Sequence, residues 1–234
     1  MMGVVTSPAA HTVEYGATAA PATTFSFSDK MVVTSDPESV TTESFRSLRS
    51  NLLAQHLKLG RRALALCAPA AGTGCSFVAA NLAVTMAAAG VNTLLIDGDL
   101  RSPSVADYIV PSEPTLGLAE CLHDDSLSLS RAIASVHPNL SVLYAGQLEA
   151  GTLDRLGAPV FRSLIDQCLR DFDLTLIDTP PSNQFADGRR IASAVRYAAV
   201  VTCRDRSYVH DVEVLLKEIA ADGGRVIGTY LNEY

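Results

Sequence analysis

Two apolar runs in this chain of 234 residues end in acids. Thr93-Leu94-Leu95-Ile96 leads into Asp97-Gly98-Asp99, and Leu174-Thr175-Leu176-Ile177 leads into Asp178-Thr179-Pro180-Pro181. A third run, Ala63-Leu64-Ala65-Leu66-Cys67, opens into a loop of small residues, Ala68-Pro69-Ala70-Ala71-Gly72-Thr73-Gly74-Cys75-Ser76. Such a loop lets backbone N–H groups turn inward on a polyphosphate, and the helix that follows adds the positive end of its dipole. Carboxylates delivered by neighbouring strands are where a phosphate-bound cation is ordered. The combination is chemistry for a nucleoside polyphosphate with Mg²⁺.

The phosphate-loop pattern is G-x-x-x-x-G-K-[ST]. Gly74 and Ser76 fit it. The early glycine is Ala68 or Pro69, depending on the count, and Cys75 stands where the lysine belongs. That lysine supplies a fixed positive charge to the β- and γ-phosphates, which a thiol cannot. Taken alone, residues 71 to 76 also fit a tight strand–helix turn with no ligand. The Asp97/Asp99 pair and Asp178 favour the phosphate reading. Cys75 has a further reading as a redox-sensitive thiol, because a helix N-terminus can lower a thiol pKa. A thiolate there would also repel phosphate, so the two roles compete.

These residues need an α/β scaffold. Near-continuous apolar strands alternate with helical segments, the pattern of a doubly wound, mostly parallel sheet covered on both faces. Residues 1 to 34, rich in Ala, Thr, Ser and Pro, read as a largely disordered arm, with Met31-Val32-Val33 as a candidate edge strand. Residues 35 to 234 read as one domain. A helix is expected over 40–56, with Phe45, Leu48, Leu52 and Leu53 on one face and Glu43, Arg46 and Arg49 on another. That charged stripe fits a solvated face as well as an interface. Further helices are expected over 77–89, 116–122, 128–136, 160–170 and 209–221, and strands over 139–146, 198–203 and 225–232.

Composition narrows the class. A formal charge of -7 argues against non-specific binding to nucleic acid or anionic lipid. Five cysteines without a C-x-x-C pair read as reduced thiols of a cytosolic protein. The histidines lack metal-ligand spacing. No apolar run is long enough to span a bilayer and no signal peptide is evident, so a membrane role would need a partner to hold the protein there.

The sequence resembles the cytoplasmic domain of bacterial tyrosine kinases, deviant-Walker P-loop proteins that serve polysaccharide synthesis and export. Glu43-Ser44-Phe45-Arg46-Ser47-Leu48-Arg49 is similar to the family's E-x-x-R-x-x-R helix, which implies self-association. Asn81-Leu82-Ala83 and Leu94 to Pro103 look like its post-loop helix and second Walker motif. Leu176 to Pro181 resembles its Walker B region, and Gly228 with Leu231-Asn232 its last strand. The resemblance implies ATP or ADP with Mg²⁺ as ligand, bound by Ala71, Gly72, Thr73, Gly74, Cys75, Ser76 and Arg101. It implies Ser76, Asp97 and Asp178 as metal residues, and Asp97 and Asp99 as catalytic if the protein is active. It also implies a cytoplasmic homo-oligomer recruited by a membrane co-polymerase or chain-length protein, with no nucleic-acid partner. Two features depart from the family. The loop lacks its lysine, and the chain ends in Tyr230-Leu231-Asn232-Glu233-Tyr234, without a tyrosine cluster. The expectation is a degenerate, scaffold-like regulator of exopolysaccharide, capsule or adhesin synthesis. The alternatives are an active tyrosine autokinase of the same pathway and a partition- or septum-type ATPase.

Overall fold

The protein is described here from a computed structural model covering residues 23 to 233. In chain order the elements are β1 (Phe25–Phe27), α1 (Val32–Ser35), α2 (Val40–Gln55), β2 (Ala63–Cys67), α3 (Cys75–Ala88), β3 (Thr93–Asp97) and β4 (Ile109–Pro111). Then come α4 (Leu118–His123), α5 (Leu129–Ala132), β5 (Ala134–His137), β6 (Leu140–Leu143), α6 (Thr152–Arg155) and α7 (Pro159–Asp171). The last are β7 (Leu174–Asp178), α8 (Asp187–Val195), β8 (Tyr197–Cys203), α9 (Val209–Ala221) and β9 (Arg225–Asn232).

The central sheet has seven strands in the order β5-β6-β3-β7-β2-β8-β9. Every pairing is parallel except β5 with β6. The alternation of β2 shows how the layers form. Ala63, Ala65 and Cys67 face a core made with α4, α7, α8 and α9. Leu64 and Leu66 face the opposite core, filled by α2 and α3. Both faces are therefore covered, which is why the strands read as unbroken apolar runs. Helix α3 lies deep in the second core. Its small residues, from Ala79 through Ala87, let it sit close against the sheet.

Helix α2 begins where Ser39 accepts a hydrogen bond from the Thr42 N–H at 3.1 Å, an N-cap that meets one unpaired donor of the first turn. It buries Phe45 and Leu52 and leaves Glu43 in solvent. Phe45 stacks edge-on against Phe77 of α3, with ring centroids 5.8 Å apart.

Three sequence expectations need correction. Ordered structure starts before residue 35: β1 pairs antiparallel with β4, and Met31 and Val32 are buried against the second core. Residues 32–35 form a helix rather than an edge strand, anchored by the Val33 N–H donating to Asn81 Oδ1 at 3.2 Å. Of the arm expected over residues 1 to 34, residues 1 to 22 lie outside the described residues. The segment 128–136 is not one helix. After a single turn the β-branched Ile133 turns extended and β5 pairs with β6. Among the described residues, no helix is long and apolar enough to cross a membrane.

Candidate nucleotide site

The loops after β2, β3 and β7 converge at the carboxyl edge of the sheet, the edge where ligands of open α/β folds bind. They enclose a cavity of about 280 Å³. The loop from Ala70 to Phe77 forms one wall, and Asp99, Ser104, Tyr108, Thr179 and Phe185 contribute to the rest. Neither Lys nor Arg is among its lining residues.

Two glycines shape the loop. Gly72 and Gly74 have φ of +75° and +81°, the left-handed region that favours glycine. Gly74 is further constrained, since a Cβ there would lie 2.3 Å from Asn232 Nδ2. That amide donates to the Thr73 carbonyl at 2.9 Å, so the end of β9 holds the loop across 159 positions of sequence. The sequence placed Asn232 in the last strand but gave it no part in the site. The apolar strand before it showed only that a strand ends there.

Cys75, the first residue of α3, is buried under the loop. Its Sγ–H donates to the Leu66 carbonyl at 3.2 Å. Burial pushes its pKa well up, and the nearby Asp178 carboxylate pushes it further. The thiol is neutral here, which removes the basis for a helix-terminus thiolate: desolvation outweighs the dipole. Ser76, the next residue, is half-buried and lines the cavity.

The three acids differ. Asp97 Oδ1 accepts from the Asp99 N–H at 3.2 Å, and Oδ2 accepts from the N–H groups of Ser104 and Val105 at 3.1 and 3.0 Å. Asp99 Oδ1 accepts from the N–H groups of Arg101 and Ser102 at 3.1 and 3.0 Å. Asp178 is fully buried, and neither of its oxygens has a hydrogen-bond partner of ordinary geometry. Ser76, Cys75 and the Thr179 N–H make no bond of ordinary geometry to it, but all three lie close enough to lower its pKa as hydrogen-bond donors. Desolvation raises the pKa of both Asp97 and Asp178, and the repulsion of Asp178 adds to the rise at Asp97.

A buried carboxylate with both oxygens bare, next to a serine hydroxyl, is a hard oxygen donor set of the kind Mg²⁺ takes. Asp178 and Ser76 therefore fit the cation, whereas the oxygens of Asp97 are engaged with backbone. Among the described residues no group of three or more His, Cys, Asp or Glu is placed to hold a metal ion.

Arg101 does not face the cavity. Its Nε donates to the buried Asp187 Oδ2 at 2.7 Å, and its guanidinium sits 4.2 Å from the Phe185 ring centroid. On α2, Arg46 pairs with Glu43 at 3.1 Å and also donates to the Pro37 carbonyl, while Arg49 lies half-buried on the same helix. Arg206, unmarked by the sequence reading, reaches the loop itself, with Nη1 3.4 Å from the Gly72 carbonyl. Its place just after a strand, at the ligand edge, was the signal that could have found it.

No family model matches the chain. Among curated proteins, the tyrosine-protein kinase CapB of Staphylococcus aureus is 30% identical over 202 residues, covering 84% of this chain and 86% of CapB. The chain belongs to the bacterial tyrosine kinases. Some members are far longer: the chain spans 26% of the tyrosine-protein kinase EpsB of Ralstonia nicotianae, at 30% identity. Among solved structures, the chimerical protein CapA2B2 superposes with a TM-score of 0.76 at 26% identity, covering 88% of this chain and 91% of that one. The septum site-determining protein MinD of Pyrococcus horikoshii, complexed with Mg-ADP, shares the fold at a TM-score of 0.61 and 24% identity. The kinase fold expected from the sequence is thus the observed one.

Proposed function

We propose that this bacterial tyrosine kinase relative binds Mg·ADP or Mg·ATP but has lost efficient phosphotransfer, and that it acts as a regulator or scaffold of bacterial polysaccharide synthesis. The observation that carries this reading is Cys75. A neutral thiol turned under the loop occupies the lysine's place, and the cavity has no lysine or arginine in its lining. A lysine charge about 4 Å from a phosphate oxygen is worth about 4 kcal/mol at an effective dielectric near 20. Much of that acts as charge shifts in the transition state. At about 1.4 kcal/mol per factor of ten, its loss costs a few orders of magnitude in rate.

Binding suffers less. The inward N–H groups of the loop, the dipole of α3 and the Ser76–Asp178 pair do not depend on position 75. In this reading Ser76 and Asp178 hold Mg²⁺, which neutralises phosphate charge when bound. Asp97 orders the 98–105 segment that walls the cavity, and Asp99 faces the phosphate end. Family membership supports a cytoplasmic homo-oligomer built through Glu43, Arg46 and Arg49 and recruited by a membrane co-polymerase.

The test compares the wild type, Cys75→Lys and Asp97→Ala for ATP turnover and phosphotyrosine, with a co-polymerase cytoplasmic segment present. The wild type is expected to bind nucleotide and turn over orders of magnitude below the roughly 1–100 per second of kinases. Cys75→Lys is expected to raise affinity. Wild-type turnover in the kinase range, abolished by Asp97→Ala, would make the protein an active autokinase instead. Charge reversal at Arg46 and Arg49 should lower oligomer mass in light scattering, and a wild type monomeric at every concentration would sink the assembly.

A further inference from the structure

The cations around the loop differ in their commitments. Arg101 is held by Asp187 and Phe185. Arg204 pairs with Glu233, and Lys30 lies 3.8 Å from Asp107. Arg206 has no carboxylate partner among the described residues. Among the described residues its guanidinium's hydrogen bond is to the Gly72 carbonyl at 3.4 Å, a long bond that leaves most of its five donors unspent. The guanidinium lies so near the loop that a Cβ on Gly72 would come 2.8 Å from Nη1. The turn that carries it is fixed: Ser207 Oγ accepts from the Cys203 N–H at 2.9 Å, the Ser207 N–H returns to the Cys203 carbonyl at 3.0 Å, and Asp205 adopts φ of +61°. A non-glycine residue at that φ costs about 1 kcal/mol or more. The turn aims an exposed arginine at the one loop of the fold that lacks its lysine.

We propose that Arg206 supplies the cation that position 75 does not, moving its guanidinium from the Gly72 carbonyl onto the phosphate chain of a nucleoside di- or triphosphate held in the loop. This rests on the nucleotide-binding reading above. A planar fork of donors matches two phosphate oxygens at once, so Arg206 supports binding of the phosphate chain from a different position and does not restore the lysine's place in the transfer step. The charge arrives from a loop that follows β8 rather than from the first turn of α3.

The experiment is calorimetric titration of Mg·ATP, Mg·ADP and adenosine into the wild type, Arg206→Ala, Arg206→Gln, Arg206→Lys and the double variant Arg206→Ala/Cys75→Lys. Arg206→Gln keeps a side-chain N–H donor without the charge, Arg206→Lys keeps the charge, and adenosine, which has no phosphate, reports any loss that comes from the loop alone. Arg206→Ala and Arg206→Gln are expected to weaken Mg·ATP by at least tenfold and to leave adenosine unchanged. Arg206→Lys should recover part of the loss, and the double variant most of it. Equal binding of Mg·ATP by wild type and Arg206→Gln would overturn the assignment while leaving the nucleotide site standing. Equal weakening of adenosine and Mg·ATP would reduce Arg206 to a brace. A wild type that binds neither Mg·ATP nor Mg·ADP would overturn both readings.

Discussion

Strands β3 and β7 are neighbours with the same ending. Both are fully buried, both finish in Ile-Asp, and Asp97 lies directly opposite Asp178 in the register. Their carboxylates nevertheless have opposite surroundings. Asp97 collects three backbone N–H groups from the segment that follows it, which curls back over the acid through Ser104 and Val105. Asp178 is followed by Thr179-Pro180-Pro181, whose prolines have no N–H to offer; the Thr179 hydroxyl donates to the Leu66 carbonyl, which leaves only the Thr179 N–H of that segment near enough to act on the carboxylate. Gly98 completes the contrast: its N–H bonds the Asp178 carbonyl at 2.9 Å, and a Cβ there would meet that oxygen at 2.6 Å. One acid is used to build the site, and the other is left with its oxygens open.

Three substitutions bear on that contrast. The largest loss is expected for Asp97→Ala. It strands the N–H groups of Asp99, Ser104 and Val105, at about 1–3 kcal/mol for each one left buried and unpaired. Relief of repulsion with Asp178 offsets part, so the net loss should be about 2–4 kcal/mol in urea unfolding. A loss below 1 kcal/mol would show that the segment holds itself without the acid.

Asp178→Asn should act in the other direction, raising the stability of the ligand-free protein by about 1–3 kcal/mol by removing a buried, unpaired charge. The sign of its pH dependence follows from the raised pKa. The folded wild type holds a proton at this pair that the unfolded chain has released, so wild-type stability falls as pH rises above the ordinary aspartate range near 4. The gain from Asp178→Asn should therefore be larger at pH 8 than at pH 5. The same variant should weaken Mg·ADP binding in calorimetry. Destabilisation at pH 8 would mean that the carboxylate has a partner worth more than its burial costs.

Asp99→Ala should have the smallest effect. Asp99 braces only its own turn, through the Arg101 and Ser102 N–H groups, and a local bond of that kind contributes about 1 kcal/mol. A cost equal to that of Asp97→Ala would place the ordering of the 98–105 segment on Asp99 instead.

The legible parts of this protein are those with local causes. Strand β9 and helix α9 occupy the expected 225–232 and 209–221, because their apolar spacing is complete within each segment. Helix α8 went unread: Asp187-Gly188-Arg189-Arg190 offers a glycine and charges where a helix signal would begin, and its buried face, Ile191, Ala192 and Val195, gains meaning only against the sheet. Strand β1 was hidden in a polar stretch because its pairing partner lies more than 80 residues downstream.

The site divides in the same way. Sequence alone determined the alternating α/β pattern, the phosphate-type loop, the acids at the ends of two strands and the absence of a lysine at position 75, since each is written in consecutive residues. Only the tertiary structure decided that the Cys75 thiol turns under the loop, that Arg101 is spent on Asp187, that Arg206 and Asn232 reach the loop, and that Asp178 rather than Asp97 keeps its oxygens free. Those outcomes depend on which donors and charges from distant segments meet at the carboxyl edge, and hydrogen-bond satisfaction between residues far apart in the chain leaves no periodic trace in the sequence.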